Sequence, residues 1–563
     1  MQVVAHLQGP RQARHSASDW LLGPCRRLLI AAAGALTAVI PFAATATDYT
    51  DTDRIIVRLK SAAAQEITRA PAGDREKKRR NFAKRLETVA GEVLQHTRSM
   101  GDGSQVLKLS ARKNKGQITA LAAKLERDPD VLEVLPDRLY FPQLVPNDAQ
   151  FANQWALSAA NGVNAPGAWD ISTGSSSLVI AILDTGRLPH SELSVRWIGG
   201  HDFVSAPERG NDGDSRDGDP ADPGDWLTAG ESLAGPLAGC PVTDSRWHGT
   251  AMAGVIGAAA NNASGIAGIN WNSRLLPVRV VGKCGGYESD IADGLRWSIG
   301  LPVPDVANNA NPARVVNMSL ASAGICSSIM QSAVADIVNS GVPIIAAAGN
   351  SSASAIGFSP GNCSGVIAVG AVDKNGGKPT YSNFGTPVAL SAPGGSGITP
   401  SEAILTTQNQ GLTTPSANND TYQTVVGTSI AAAHVTGIAS LLLSITPELT
   451  PQNLRDILVN SSRTFPTNTT AAMPGPSQAD CTVSLCGSGI ANAQVAAQMA
   501  FDWRNVTPQI AAGRYHSVGI RSDGKVLAWG RNSSGQLGDG TNTARATPVQ
   551  ALFAGARAVS AGH

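Results

Sequence analysis

Short apolar, β-branched runs recur through the middle of the chain. SLVIAIL (177–183), LLPVRVV (275–281), ARVVNMSL (313–320), VPIIAAA (342–348), GVIAVGAV (365–372) and PVALSAP (387–393) are apolar at consecutive positions and do not alternate. That is the pattern of strands buried on both faces. Between them, IADGLRWSIG (291–300) and SIMQSAVADIVNSG (328–341) carry helical spacing. Strands and helices in alternation predict an α/β fold, a parallel sheet with helices on both faces. Sites in such sheets lie at the carboxyl ends of the strands.

The flanks read differently. DRIIVRLK (53–60), QVLKLSA (105–111) and VLEVLPDRLYF (131–141) have strand patterns. The charged segment 74–96 and QITALAAKLERDPDV (117–131) have helical ones. This β-α-β-α-β order predicts a small ferredoxin-like α+β unit over 48–145. Further upstream, Arg26-Arg27 precede LLIAAAGALTAVIPFAA and Ala44-Thr45-Ala46. A positive flank, a short apolar run and a small-residue cleavage site predict a signal peptide over 1–46, and hence secretion with no membrane span afterwards. From about residue 506, AAGRYHS (511–517) returns as SAGH (560–563), an internal period of about fifty residues. It predicts a propeller-type repeat over 506–563, one full unit and the start of a second.

Composition narrows the classes. The 563 residues are 42% apolar, enough for a large core, and carry a net charge of +1. A near-neutral chain has no electrostatic footprint for nucleic acid. Of the seven cysteines, Cys25 belongs to the leader. The remaining six, after an export signal, predict disulfides, with fifteen pairings open.

Four polar groups sit where a parallel sheet keeps its chemistry. Asp184 ends a strand in LVIAILDTG, and His248 opens a Gly/Ala-rich helix in RWHGTAMAG. Asn350 ends a strand in PIIAAAGN, and Ser429 starts an apolar helix in GTSIAAAHVTG. Singly, each has a bland reading: a turn Asp, an exposed His, a turn Asn, a helix-capping Ser. Together, in the order Asp, His, Asn, Ser, they resemble the subtilisin-like serine proteases over roughly 146–490. The resemblance implies a peptidase domain at 146–505, in which Asp184 orients, His248 is base then acid, and Ser429 attacks. Asn350 and the Ser429 amide would hold the oxyanion.

Two positions depart from the family pattern: Ile430 stands where Met is usual and Ala433 where Pro is usual. Neither removes a catalytic group. By the same resemblance, Ser319, Leu320 and Ala321 would pair with an extended peptide, and Ala348 and Gly349 would form the opposite wall. No acid is placed to select a basic side chain, so a broad or apolar preference is expected. The 48–145 unit resembles the family's inhibitory propeptides, with its end in the cleft and a self-made cut between 140 and 147. The fold implies disulfides Cys240–Cys284, Cys326–Cys363 and Cys481–Cys486. In NDGDSRDGDPADPGDW (211–226), Asp212, Asp214, Asp217 and Asp219 are candidates for a structural Ca²⁺, which relatives often carry. The expected partners are protein or peptide substrates and the chain's own propeptide, with the enzyme a monomer. The rival class is a binding or adhesion protein using the protease fold as a scaffold.

Overall fold

The computed structural model describes residues 52–113, 115–137, 144–417, 420–467, 480–504, 509–521, 525–554 and 559–562. The signal segment, Cys25, the first half of the expected cleavage region (140–143) and His563 lie outside these residues.

The N-terminal unit has four strands, β1 (Thr52–Leu59), β2 (Leu94–Ser99), β3 (Gln105–Lys113) and β4 (Val131–Pro136). They form an antiparallel sheet in the order β2-β3-β1-β4. Helices Ala72–Ala90 and Lys115–Leu125 contribute Phe82, Leu86, Leu121 and Leu125 to its core. The sequence pattern had placed 94–96 in a helix. That helix stops at Ala90 because Gly91 takes a left-handed φ of 76° and returns its N–H to the Glu87 carbonyl, a standard helix terminator. β2 is the polar edge strand, and LQHTRS carries no apolar alternation that would have marked it.

The next strands are β5 (Val179–Asp184), β6 (His201–Asp202), β7 (Arg274–Arg279), β8 (Val315–Met318) and β9 (Ser322–Ala323). They are followed by β10 (Ile344–Ala347), β11 (Phe358–Ser359), β12 (Val366–Val372) and β13 (Val388–Pro393). Seven of them form a parallel sheet in the order β13-β12-β10-β8-β5-β7-β6. Side chains alternate across a strand, and here both sides are core. Ile180 and Ile182 of β5 join one apolar cluster, while Val179, Ala181 and Leu183 join the other. That is why these runs are apolar at every position.

Helix Thr428–Ile445 fills the first cluster and is 94% buried. It is long and apolar enough to cross a membrane by composition, but its apolar surface meets protein on all sides. Gly437 lets it approach its neighbour, since a Cβ there would lie 2.7 Å from Ile269. A hairpin of β14 (Ile404–Gln408) and β15 (Thr421–Val425) leads into this helix. At the C-terminal end, β16 (Gln509–Ala512), β17 (His516–Ile520), β18 (Lys525–Gly530) and β19 (Arg545–Ala554) form an antiparallel sheet in chain order. All three disulfides implied by the fold are formed.

Candidate active site

Asp184 is the last residue of β5, and the sheet's own geometry delivers it to the carboxyl end. Its side chain is buried. Its Oδ1 accepts the Thr185 N–H at 2.9 Å and meets His248 Nδ1 at 2.7 Å. His248 is the first residue of helix His248–Gly257. Three local features aim it. Trp247 holds a left-handed φ of 51° and anchors its indole N–H on the Gly411 carbonyl. Thr185 Oγ1 accepts the Gly249 N–H while donating to the buried carboxylate of Asp222. Gly249 must be glycine, because a Cβ there would lie 2.3 Å from the Gly186 carbonyl oxygen.

Two effects oppose each other at the His248 imidazole. Burial lowers its proton affinity, while the charge of Asp184 and its hydrogen bond raise it. The net direction is upward.

Ser429 is the second residue of helix Thr428–Ile445, whose start carries no side-chain cap. The capping reading of this hydroxyl therefore fails. Instead Ser429 Oγ donates to the Ser319 carbonyl at 2.8 Å, and Ser319 Oγ donates back to the Ser429 carbonyl. Its backbone N–H is among the first four of the helix, which have no intrahelical acceptor. The helix runs unbroken through Ile430 and Ala433, the two departures from the family pattern, both buried.

Asn350 is oriented by the residue before the serine. Its Oδ1 accepts both the Thr428 N–H, at 2.9 Å, and the Thr428 hydroxyl, at 2.8 Å. With the oxygen end fixed, the Nδ2 amide is the end left to donate.

Asp184, His248, Asn350 and Ser429 all line one cleft of about 750 Å³. Ser319, Leu320 and Ala321 line it as expected. Ala348 and Gly349 are not among its lining residues. Ala348 is buried with its carbonyl accepting from Asn383, and the Gly349 N–H goes to Thr428. The cleft also takes in Gly285 and Gly286 and the disulfide residue Cys284. Two charged side chains that the sequence reading did not single out, Arg246 and Glu288, line it as well.

The acidic loop is not arranged as expected. Asp212 is given over to Arg279, whose buried guanidinium also meets Asp202 and the Gly210 carbonyl. Asp217 and Asp219 each accept a backbone N–H two residues on. Among the described residues, no three His, Cys, Asp or Glu side chains gather into a group that could hold a metal. One carboxylate of the loop is thus taken by a cation that the protein itself supplies. A different pair of buried carboxylates interacts electrostatically, and both Glu192 oxygens already accept hydrogen bonds, from Tyr422 and Asn262. Asp148 is buried with Oδ1 unpartnered, and Glu192 is buried with its proton affinity raised by burial and, to a smaller extent, by the charge of Asp148.

An Asp–His pair and a serine at a helix start thus line one cleft at the carboxyl ends of a parallel α/β sheet. The subtilase family profile matches residues 175–489, and that of the regulator of chromosome condensation repeat matches 509–536 and 523–563. An extracellular protease of Xanthomonas campestris pv. campestris is 39% identical over 75% of this chain and 69% of its own length. An extracellular basic protease of Dichelobacter nodosus is 38% identical over 67% of this chain and 62% of its own. Among solved structures, a protease from Pseudoalteromonas arctica is 42% identical, with a TM-score of 0.58, over 63% of this chain and all of that one. The chain belongs to the subtilase family, the serine endopeptidases of the subtilisin type.

Proposed function

We propose that Ser429 attacks the carbonyl carbon of a bound peptide, His248 takes its proton and returns it to the leaving amine, water activated by His248 then releases the acyl group from Ser429, and Asp184 orients the imidazole and stabilises the imidazolium that forms. The Asn350 amide and the Ser429 N–H receive the oxyanion, which the positive end of the helix dipole also favours. The observation that carries this reading is the 2.7 Å contact between His248 and Asp184 in the same cleft as Ser429 and Asn350. Ser429 Oγ rests on the Ser319 carbonyl, and rotation about its Cα–Cβ bond redirects it. Catalytic hydrogen bonds commonly tighten only once substrate is bound. Protein substrates follow from the family.

Secretion is supported by the extracellular relatives and by the apolar leader, and this would make 1–46 a signal peptide. The unit 48–145 would then be a propeptide, removed by a cut that Ser429 itself makes between 140 and 147. The peptidase domain would be 146–505, acting as a monomer, with 506–563 an appended repeat. Subtilases generally bind calcium. In this chain Asp148 and Glu192 would hold such an ion better than the acidic loop, because it would satisfy the orphaned Asp148 oxygen. It would supply charge neutralisation to the fold and take no part in the bond-breaking step.

The deciding experiment is casein hydrolysis by the purified wild-type chain, with and without an active-site serine reagent. Hydrolysis that the reagent abolishes supports the proposal. Absence of hydrolysis in a folded, processed chain would favour the scaffold reading.

A further inference from the structure

The cleft holds three charged side chains besides the imidazole, and two of them already have an ion-pair partner. Asp184 is paired with His248. Arg246 makes two hydrogen bonds to the buried carboxylate of Asp225. The third, Glu288, has no cationic partner among the described residues. Its Oε1 accepts the Ser327 hydroxyl at 2.6 Å. That hydroxyl also caps helix Ser328–Asn339 by accepting the Met330 N–H at 3.0 Å. Glu288 is therefore held in place by a neutral donor, and its charge is left for something that enters the cleft.

Apolar side chains line the same cleft. Ile291 lies one helical turn on from Glu288 along helix Glu288–Ser298 and lines the same cleft, as do Met330 and Leu320. A carboxylate at the rim of an apolar wall suits a side chain with an aliphatic stem and a cationic tip. Lys and Arg are built that way, laying the stem on apolar surface while the charge stays at the polar edge. The segment that lines the cleft begins at Ser319, which touches Ser429, and ends at Ser327, which touches Glu288. The subsite is thus at the far end of that segment from the nucleophile.

Resting on the peptidase reading above, we infer that Glu288 is a specificity-determining residue that selects a basic side chain at a substrate position remote from the scissile bond. This departs from the broad or apolar preference expected from the sequence. A carboxylate open to water and engaged by a long flexible cation gives a modest preference, about fivefold.

Internally quenched neutral peptides, varied one position at a time among Lys, Met, Gln and Glu, read this directly. The wild type is expected to favour Lys over Met by about fivefold in kcat/KM at one remote position, mainly through KM. Glu288→Gln should bring that ratio to parity while changing the Met peptide less than about twofold, and Glu288→Lys should favour Glu there. Salt at about 0.5 M should shrink the wild-type preference, as screening requires. Binding of the Lys and Met peptides to Ser429→Ala, followed by fluorescence anisotropy, reads the subsite without chemistry. A chain that never cuts therefore still decides the question, and loss of hydrolysis alone counts against the peptidase reading only. A Lys preference absent from the wild type at every position in both assays, or unchanged in Glu288→Gln, overturns the inference.

Discussion

The seven-stranded sheet and the four-stranded sheet at the C-terminal end are both built from short strands, but they bury them differently. All six residues of β5 are buried. None of the four residues of β16 is, and among the described residues the terminal sheet's buried apolar cluster is Ile520, Val526 and Ala551. A strand with core on both sides is held at every second residue from each face, so the residue that leaves its carboxyl end is fixed in position. A strand with one thin buried row is not. The catalytic candidates follow that distinction, since Asp184 and Asn350 leave the ends of fully buried strands.

The largest test of this contrast is Ser429→Ala. Activity should fall on the order of 10⁶-fold, the size such a loss takes in subtilisin. The fold should lose only about 1 kcal/mol, one hydrogen bond to Ser319. Intact-mass analysis should show the propeptide uncut. A variant that loses the fold along with activity would mean that Ser429 serves the core and not the chemistry.

Asp184→Asn should come next, at about 10⁴-fold in kcat. The wild-type acid limb of kcat/KM should lie above the usual histidine value of about 6.5, because His248 must be neutral to act as base and its proton affinity is raised. Removing the carboxylate charge should move that limb to lower pH. The same pair stabilises the fold below about pH 6.5 and stops doing so as pH rises through the raised value, so the variant's stability deficit should be largest in acid. A limb that stays in place would deny Asp184 its role.

Chelation should act on the large sheet alone. Removing a cation held by Asp148 and Glu192 should lower the main calorimetric transition by about 5–10 °C, and Asp148→Asn should abolish that sensitivity. An equal shift in both proteins would place the ion elsewhere. The smallest effect should come from ending the chain after Arg504, which should leave kcat/KM within about twofold, because no described residue of the terminal sheet lines the cleft. A large loss would erase the contrast between the two sheets.

The four catalytic candidates were legible because each sits at a strand end or helix start whose flanking pattern is local. The sheet strands were legible because double burial leaves an unbroken apolar run, and their observed ends differ from the pattern by only a few residues. Glu288 was not legible. It reads as an ordinary first-turn acid, and only its bond to Ser327, 39 residues on, shows that it is turned into the cleft. The ion pair of the acidic loop was not legible for a similar reason. Arg279 sits inside an apolar strand and gives no local sign that it will take Asp212. Asp148 and Glu192 are likewise separated in sequence by a whole helical segment and a strand, so no spacing rule could pair them.

The helix that carries Ser429 enters the core late in the chain, with only helices Pro451–Asn460 and Ala493–Arg504 following it into that core among the described residues. Thr428 reaches back 78 residues to Asn350, and Ser429 reaches back 110 to Ser319. During synthesis, Asp184, His248 and Asn350 therefore emerge well before the serine that would join them. A chain interrupted upstream of residue 428 has no nucleophile at all. The order of the sequence thus works as a clock: the hydrolytic centre cannot be assembled before the fold around it is nearly complete, and a cell making this protein meets few half-built copies able to cut. The cost is a native state that depends on contacts far apart along the chain, which are slow to find.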